Sequence, residues 1–166
     1  MRSKNLIIFI FIFLSINIVA YDENKEIALI YGINRDSSKE ADFIKINIKK
    51  WSELHKLEIP KFRLIETTPS RVQGVYSQNK IEIYFSNQQS TDDLLVTAAH
   101  EFAHYYFEKK NIIFQNTKKE ELKADKFAVD LVGKDMVLKS LHKHWKSSSG
   151  INHPSIDERI KKIKFP

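Results

Sequence analysis

Apolar and polar positions follow different periods in successive stretches of the chain, and those periods predict the elements. From about Glu40 to Leu57 the apolar residues Phe43, Ile44, Ile46, Ile48, Trp51 and Leu54 recur mostly three or four apart and Pro60 ends the run, which predicts an amphipathic helix. Some alternation in its middle leaves a strand as the other reading. Phe62 to Glu66 alternates apolar with charged residues and stops at Thr67-Thr68-Pro69, the pattern of a short strand. Val72–Tyr76 and Ile81–Phe85 flank the polar connection Ser77-Gln78-Asn79-Lys80, which predicts a hairpin.

Farther on, Ser90 precedes Thr91-Asp92-Asp93, a capping hydroxyl followed by carboxylates where the helix dipole favours them, so a helix is expected from here to about Lys109. Its segment Leu94–Ala99 is apolar almost all round, as in a helix at the centre of its domain. Helical patterns also cover Lys118 to Val132, Lys134 to Lys146 and Ser155 to Ile163, the last two separated by Ser147-Ser148-Ser149-Gly150. The expected class is α+β: an N-terminal helix, a small sheet with a hairpin, then a helical half.

The chain has 166 residues with 27 Lys+Arg against 21 Asp+Glu, a net charge of +6. Arg2, Lys4, an apolar run from Leu6 to Leu14 continuing through Ile16, Ile18 and Val19, and the small Ala20 together read as a secretory signal. Cleavage after Ala20 would leave one domain, residues 21–166, and export to the periplasm or outside the cell. An uncleaved N-terminal anchor is the other reading, although the stretch from Leu6 to Ala20 is short for a membrane span. The rest of the chain carries 25 basic against 21 acidic residues, scattered and without a block, so no nucleic-acid partner is expected. There is no cysteine, so any metal site must use His and carboxylate ligands.

Such a set stands inside the apolar helix. His100-Glu101-Phe102-Ala103-His104 is an HExxH motif, and residues four apart on a helix share a face, so both imidazoles reach one ion while Glu101 lies beside it as a base. Ionisable groups in an apolar helix are costly unless they are paired or bind metal, whereas a pair of surface histidines would be the bland alternative. Seventeen residues after His104, Glu121 offers a third ligand, with Glu120 as its rival. Asp125, one turn on, can accept from the far nitrogen of a ligating imidazole, most simply His100. Both glutamates could instead be solvent-facing helix residues. His142 and His144 read as solvated helix residues, and His55 stands alone. Trp51, Tyr105, Tyr106 and Trp145 read as core or half-buried aromatics.

Three segments, His100–His104, Glu121-Leu122-Lys123-Ala124-Asp125 and His153-Pro154-Ser155-Ile156-Asp157-Glu158-Arg159-Ile160, resemble the HExxH, ExxAD and HPxxxxRI elements of the HtpX-like and CAAX-endopeptidase-like zinc metallopeptidases, of the gluzincin group. The resemblance spans about Gly74 to Ile163 and implies a minimal zincin-like domain with one Zn2+ per chain. It implies the ligands His100, His104 and Glu121, and Glu101 as general base. It also implies that His153 meets the substrate carbonyl or developing oxyanion and that Arg159 braces the site. His153 before a proline could equally be a turn residue, and Arg159 a structural ion-pair residue.

The larger members of that family carry several transmembrane helices, and this chain has no apolar segment of that kind after the leader. The third-ligand helix is also similar to that of the ImmA/IrrE-type metallopeptidases. The expected activity is endopeptidase cleavage of extended or unfolded protein, with an edge of the Ile81–Phe85 strand aligning the substrate by strand addition. A non-catalytic secreted module stabilised by zinc is the alternative of a different class.

Overall fold

The computed structural model describes residues 32–67, 73–86, 89–144 and 154–165. Its elements are β1 (Ile33–Asn34), α1 (Lys39–His55), β2 (Lys61–Glu66), β3 (Gln73–Ser77), β4 (Lys80–Phe85), α2 (Thr91–Lys109), α3 (Thr117–Val132), α4 (Lys134–His144) and α5 (Ile156–Lys164). The class is α+β, with helices on a four-stranded mixed sheet. The expectations for the leader up to Ala20, for Trp145 and for His153 fall outside the described residues.

Helix α1 starts where the Ser38 side chain accepts from the Ala41 N–H at 3.1 Å, and it ends at Lys56 in the left-handed region. Ala41, Ile44, Ile48, Trp51 and Ser52 share one face, and that face is buried, so the helical period prevails over the strand reading. The hairpin closes more tightly than its polar connection suggested. Ser77 pairs with Lys80, leaving Gln78 and Asn79 as a two-residue turn with φ of 47° and 65°. Positive φ at both central residues is the type I′ geometry that matches strand twist.

Strand order is β1-β2-β4-β3, with β2 parallel to β4 and the other pairs antiparallel. Strand β4 is therefore interior, with both edges paired. This corrects the expectation that the Ile81–Phe85 strand offers an edge to substrate: among the described residues that free edge belongs to β3. Strand β1, two residues long, is too short to carry a periodic signal in the sequence.

Helix α2 is the axis of the domain. A capping box fixes its start: the Ser90 hydroxyl accepts from the Asp93 N–H at 3.3 Å while the Asp93 carboxylate accepts from the Ser90 N–H at 3.1 Å. Lys143 of α4 donates to the same carboxylate at 2.7 Å. Leu94, Ala98, Ala99, Phe102 and Tyr105 are all buried against Leu64, Ile81 and Ile83 of the sheet, Ile44, Ile48 and Trp51 of α1, and Val137 and Leu141 of α4. The Tyr105 hydroxyl donates to the Glu58 carbonyl at 2.6 Å, so this buried phenol is satisfied. Among the described residues no helix is long and apolar enough to cross a membrane.

Candidate metal centre

The HExxH residues lie at the middle of α2, and the carboxylates facing them come from α3. These two helices approach closely because Ala103 and Ala124, both fully buried, stand between them, with Phe107, Phe114 and Phe127 closing the apolar contact beside the site. Small side chains at the crossing let short polar side chains meet. Nε2 of His100 lies 3.2 Å from Nε2 of His104 and 3.2 Å from Oε2 of Glu121, and Nε2 of His104 lies 3.5 Å from Oε1 of Glu121. These three residues form a group that could hold a metal ion. His100 and Glu121 are buried and His104 is half-buried.

Each imidazole is held at its far nitrogen by a carboxylate. Asp125 accepts from Nδ1 of His100 at 3.1 Å, and Glu120 accepts from Nδ1 of His104 at 2.9 Å. An ionised carboxylate only accepts, so each Nδ1 carries a proton and Nε2 is the atom turned toward the shared centre, where a bound metal ion would take the place of any proton on it. The sequence left Glu120 as a rival to Glu121 for the ion. The structure puts Glu121 among the donor atoms and Glu120 behind His104.

Asp125 is itself held from behind. The Arg159 guanidinium, 2% exposed, donates through Nε to Oδ2 at 2.6 Å and through Nη2 to Oδ1. Such a two-pronged Arg–carboxylate pair fixes orientation as well as charge. Helix α5, started by its own capping box at Ser155 and Glu158, thus carries Arg159 under the site.

These contacts shift the ionisation of the groups. Burial alone would push His100 down, but the hydrogen bonds and charges of Asp125 and Glu121 outweigh it and carry the imidazole up to about 10 in the metal-free protein. Burial likewise works against the ionised Asp125, yet Arg159 and His100 hold its carboxyl down at about 2. Burial raises Glu101, opposed by the neighbouring His100 and His104 charges and by the Tyr76 backbone N–H.

Glu101 itself points at β3, where its carboxylate lies against Gly74. Sequence reading had no part for Gly74; its one available signal was a glycine inside a strand, a common mark of close approach. His55 does not join the site: its ring packs on Phe102, Tyr106 and Phe127. No protein-family model and no curated protein matches the chain.

Two outcomes follow from the geometry. His100 has a folded pKa above its ordinary 6.5, so its contribution to stability is complete below 6.5 and lost as pH rises through about 10. Asp125, depressed from 3.8, contributes stability present above 3.8 and lost as pH falls through about 2. Urea unfolding of the metal-free protein should therefore weaken on both sides of that range, and Asp125→Asn should flatten the acid limb; an unchanged acid limb in the variant contradicts the pairing. Separately, Glu120→Ala should lower affinity for a divalent transition metal by about 10- to 100-fold in chelator competition, because a freed His104 ring is no longer oriented. Unchanged affinity would show that Glu120 orients nothing.

Proposed function

We propose that the protein is a zinc-dependent endopeptidase that cleaves extended or unfolded polypeptide. One observation carries the reading: two imidazole nitrogens 3.2 Å apart, each facing an oxygen of the same Glu121 carboxylate at 3.2 and 3.5 Å, with a buried carboxylate on the residue that follows the first histidine. A tetrahedral ion with ligand bonds of about 2.0–2.1 Å needs its ligands about 3.3–3.4 Å apart, since a tetrahedron's edge is about 1.6 times the bond. Two imidazoles and one carboxylate suit zinc, whereas magnesium and calcium favour all-oxygen sets. Among the described residues the set is three protein ligands, which suits a catalytic ion, because a structural zinc closes all four positions with protein.

When bound, such an ion supplies Lewis acidity, making water acidic and a carbonyl electrophilic. His100, His104 and Glu121 would hold it, and Asp125 and Glu120 keep the two rings turned toward it. Glu101 takes the proton of the attacking water as the new carbon–oxygen bond forms, then delivers it to the departing nitrogen as the carbon–nitrogen bond breaks. Burial favours this exchange, since it makes the carboxylate a better proton acceptor than an exposed one.

Substrate aligns on the free edge of β3, which passes directly over Glu101. Strand addition uses backbone hydrogen bonds, so the preference is for extended chain over a strict sequence. From the family resemblance His153 is assigned to the developing oxyanion, and from the leader the activity is assigned outside the cytoplasm.

The test is one substitution. Glu101→Gln should retain close to one zinc per chain, by metal analysis, and cut hydrolysis of an unfolded protein by about 100-fold or more. Equal rates for the variant and the unaltered protein would overturn the peptidase reading.

A further inference from the structure

Gly74 sits inside β3, opposite Ile83 of β4 and just before Val75 and Tyr76, residues of good strand propensity. Its backbone does not demand glycine: among the described glycines only Gly133 has a positive φ. Interior glycine weakens a strand, so a different cause must be sought for it here. That cause is contact with α2. A Cβ built on Gly74 would overlap Oε1 of Glu101 and stand 2.5 Å from its Cγ and 2.7 Å from its Cδ. Ordinary carbon contacts are about 3.5–4.0 Å, so the two groups cannot share the space.

We propose that Gly74 is the positioning residue for Glu101: the side chain it lacks is the space in which the Glu101 carboxylate stands. Two residues along the same strand, the Tyr76 backbone N–H favours the charged form of that carboxylate. One short segment of β3 thus supplies both the room and a favourable backbone dipole. Glu101 is 8% exposed, so a carboxylate displaced from this seat has no solvent to turn into. It moves within the site instead, away from the station a proton-transferring base requires.

The obstacle a methyl group at Gly74 would meet is the far end of a flexible side chain and not backbone. The fold can therefore absorb alanine while the base cannot keep its place. This separates positioning from mere packing. The role rests on the peptidase reading, because a displaced base matters only where a proton is transferred.

The test combines kinetics, metal content and urea unfolding for Gly74→Ala, Glu101→Gln and the double variant. Gly74→Ala should bind zinc as tightly as the unaltered protein, because the ligands are untouched. Its kcat should fall about 100-fold, the usual cost of a misplacement of about 1 Å, with KM changed less than about twofold. In the Glu101→Gln background the same change should add no further loss.

A second measurement needs no activity. In metal-free protein Gly74→Ala should lower the urea midpoint when Glu101 is present, and leave it unchanged or raise it in a Glu101→Ala background, where the clash is gone. Wild-type kcat in Gly74→Ala, losses that multiply with those of Glu101→Gln, equal midpoint shifts in both backgrounds, or failure to fold even with Glu101→Ala would each overturn the role of Gly74 and leave the peptidase reading standing. Absence of hydrolysis by the unaltered protein overturns that reading and the positioning role with it.

Discussion

The site depends on one buried ion pair. Arg159 and Asp125, exposed by 2% each, face one another inside the domain, and neither charge has water to solvate it. A lone buried charge is far more costly than a matched pair, so each residue fixes the other. The pair also joins elements distant in sequence: Arg159 comes from α5, Asp125 from α3, and through Nδ1 of His100 the chain of contacts reaches α2. The group that could hold a metal ion stands at the end of this chain of contacts. His100 is turned outward by Asp125 because Asp125 is itself immobilised by Arg159.

Small residues set the remaining distances. Ala103 and Ala124 let α2 and α3 approach until Glu121 lies among the imidazole nitrogens. Gly74 lets β3 approach α2 on the other side until the strand touches Glu101. Side chains of ordinary bulk at these places would separate the elements, and the polar groups would no longer meet. Apolar packing around Phe102, Trp51 and the inner residues of the sheet then holds α2 between its neighbours.

Local features were legible in the sequence, and contacts between distant segments were not. Helix α2, its Ser90 cap and the HExxH residues follow from a single continuous stretch, as does the hairpin between β3 and β4. The parallel pairing of β2 with β4 leaves no local trace, so the expected substrate edge was assigned to the interior strand. Glu120 and Glu121 are adjacent, and composition does not say which one faces Nε2 and which faces Nδ1. That depends on how α3 is rotated against α2. The close approach at Gly74 is of the same kind, since only the packed structure shows what fills the missing side chain.

The proposed zinc ion would be shared by His100, His104 and Glu121 through the atoms that face each other. Diffraction from zinc-loaded crystals at the zinc absorption edge locates the ion directly. One anomalous peak is expected, about 2.0–2.1 Å from Nε2 of both His100 and His104 and within bonding distance of a Glu121 carboxylate oxygen. A peak bound through the Nδ1 atoms, or through Glu120 in place of Glu121, would contradict it.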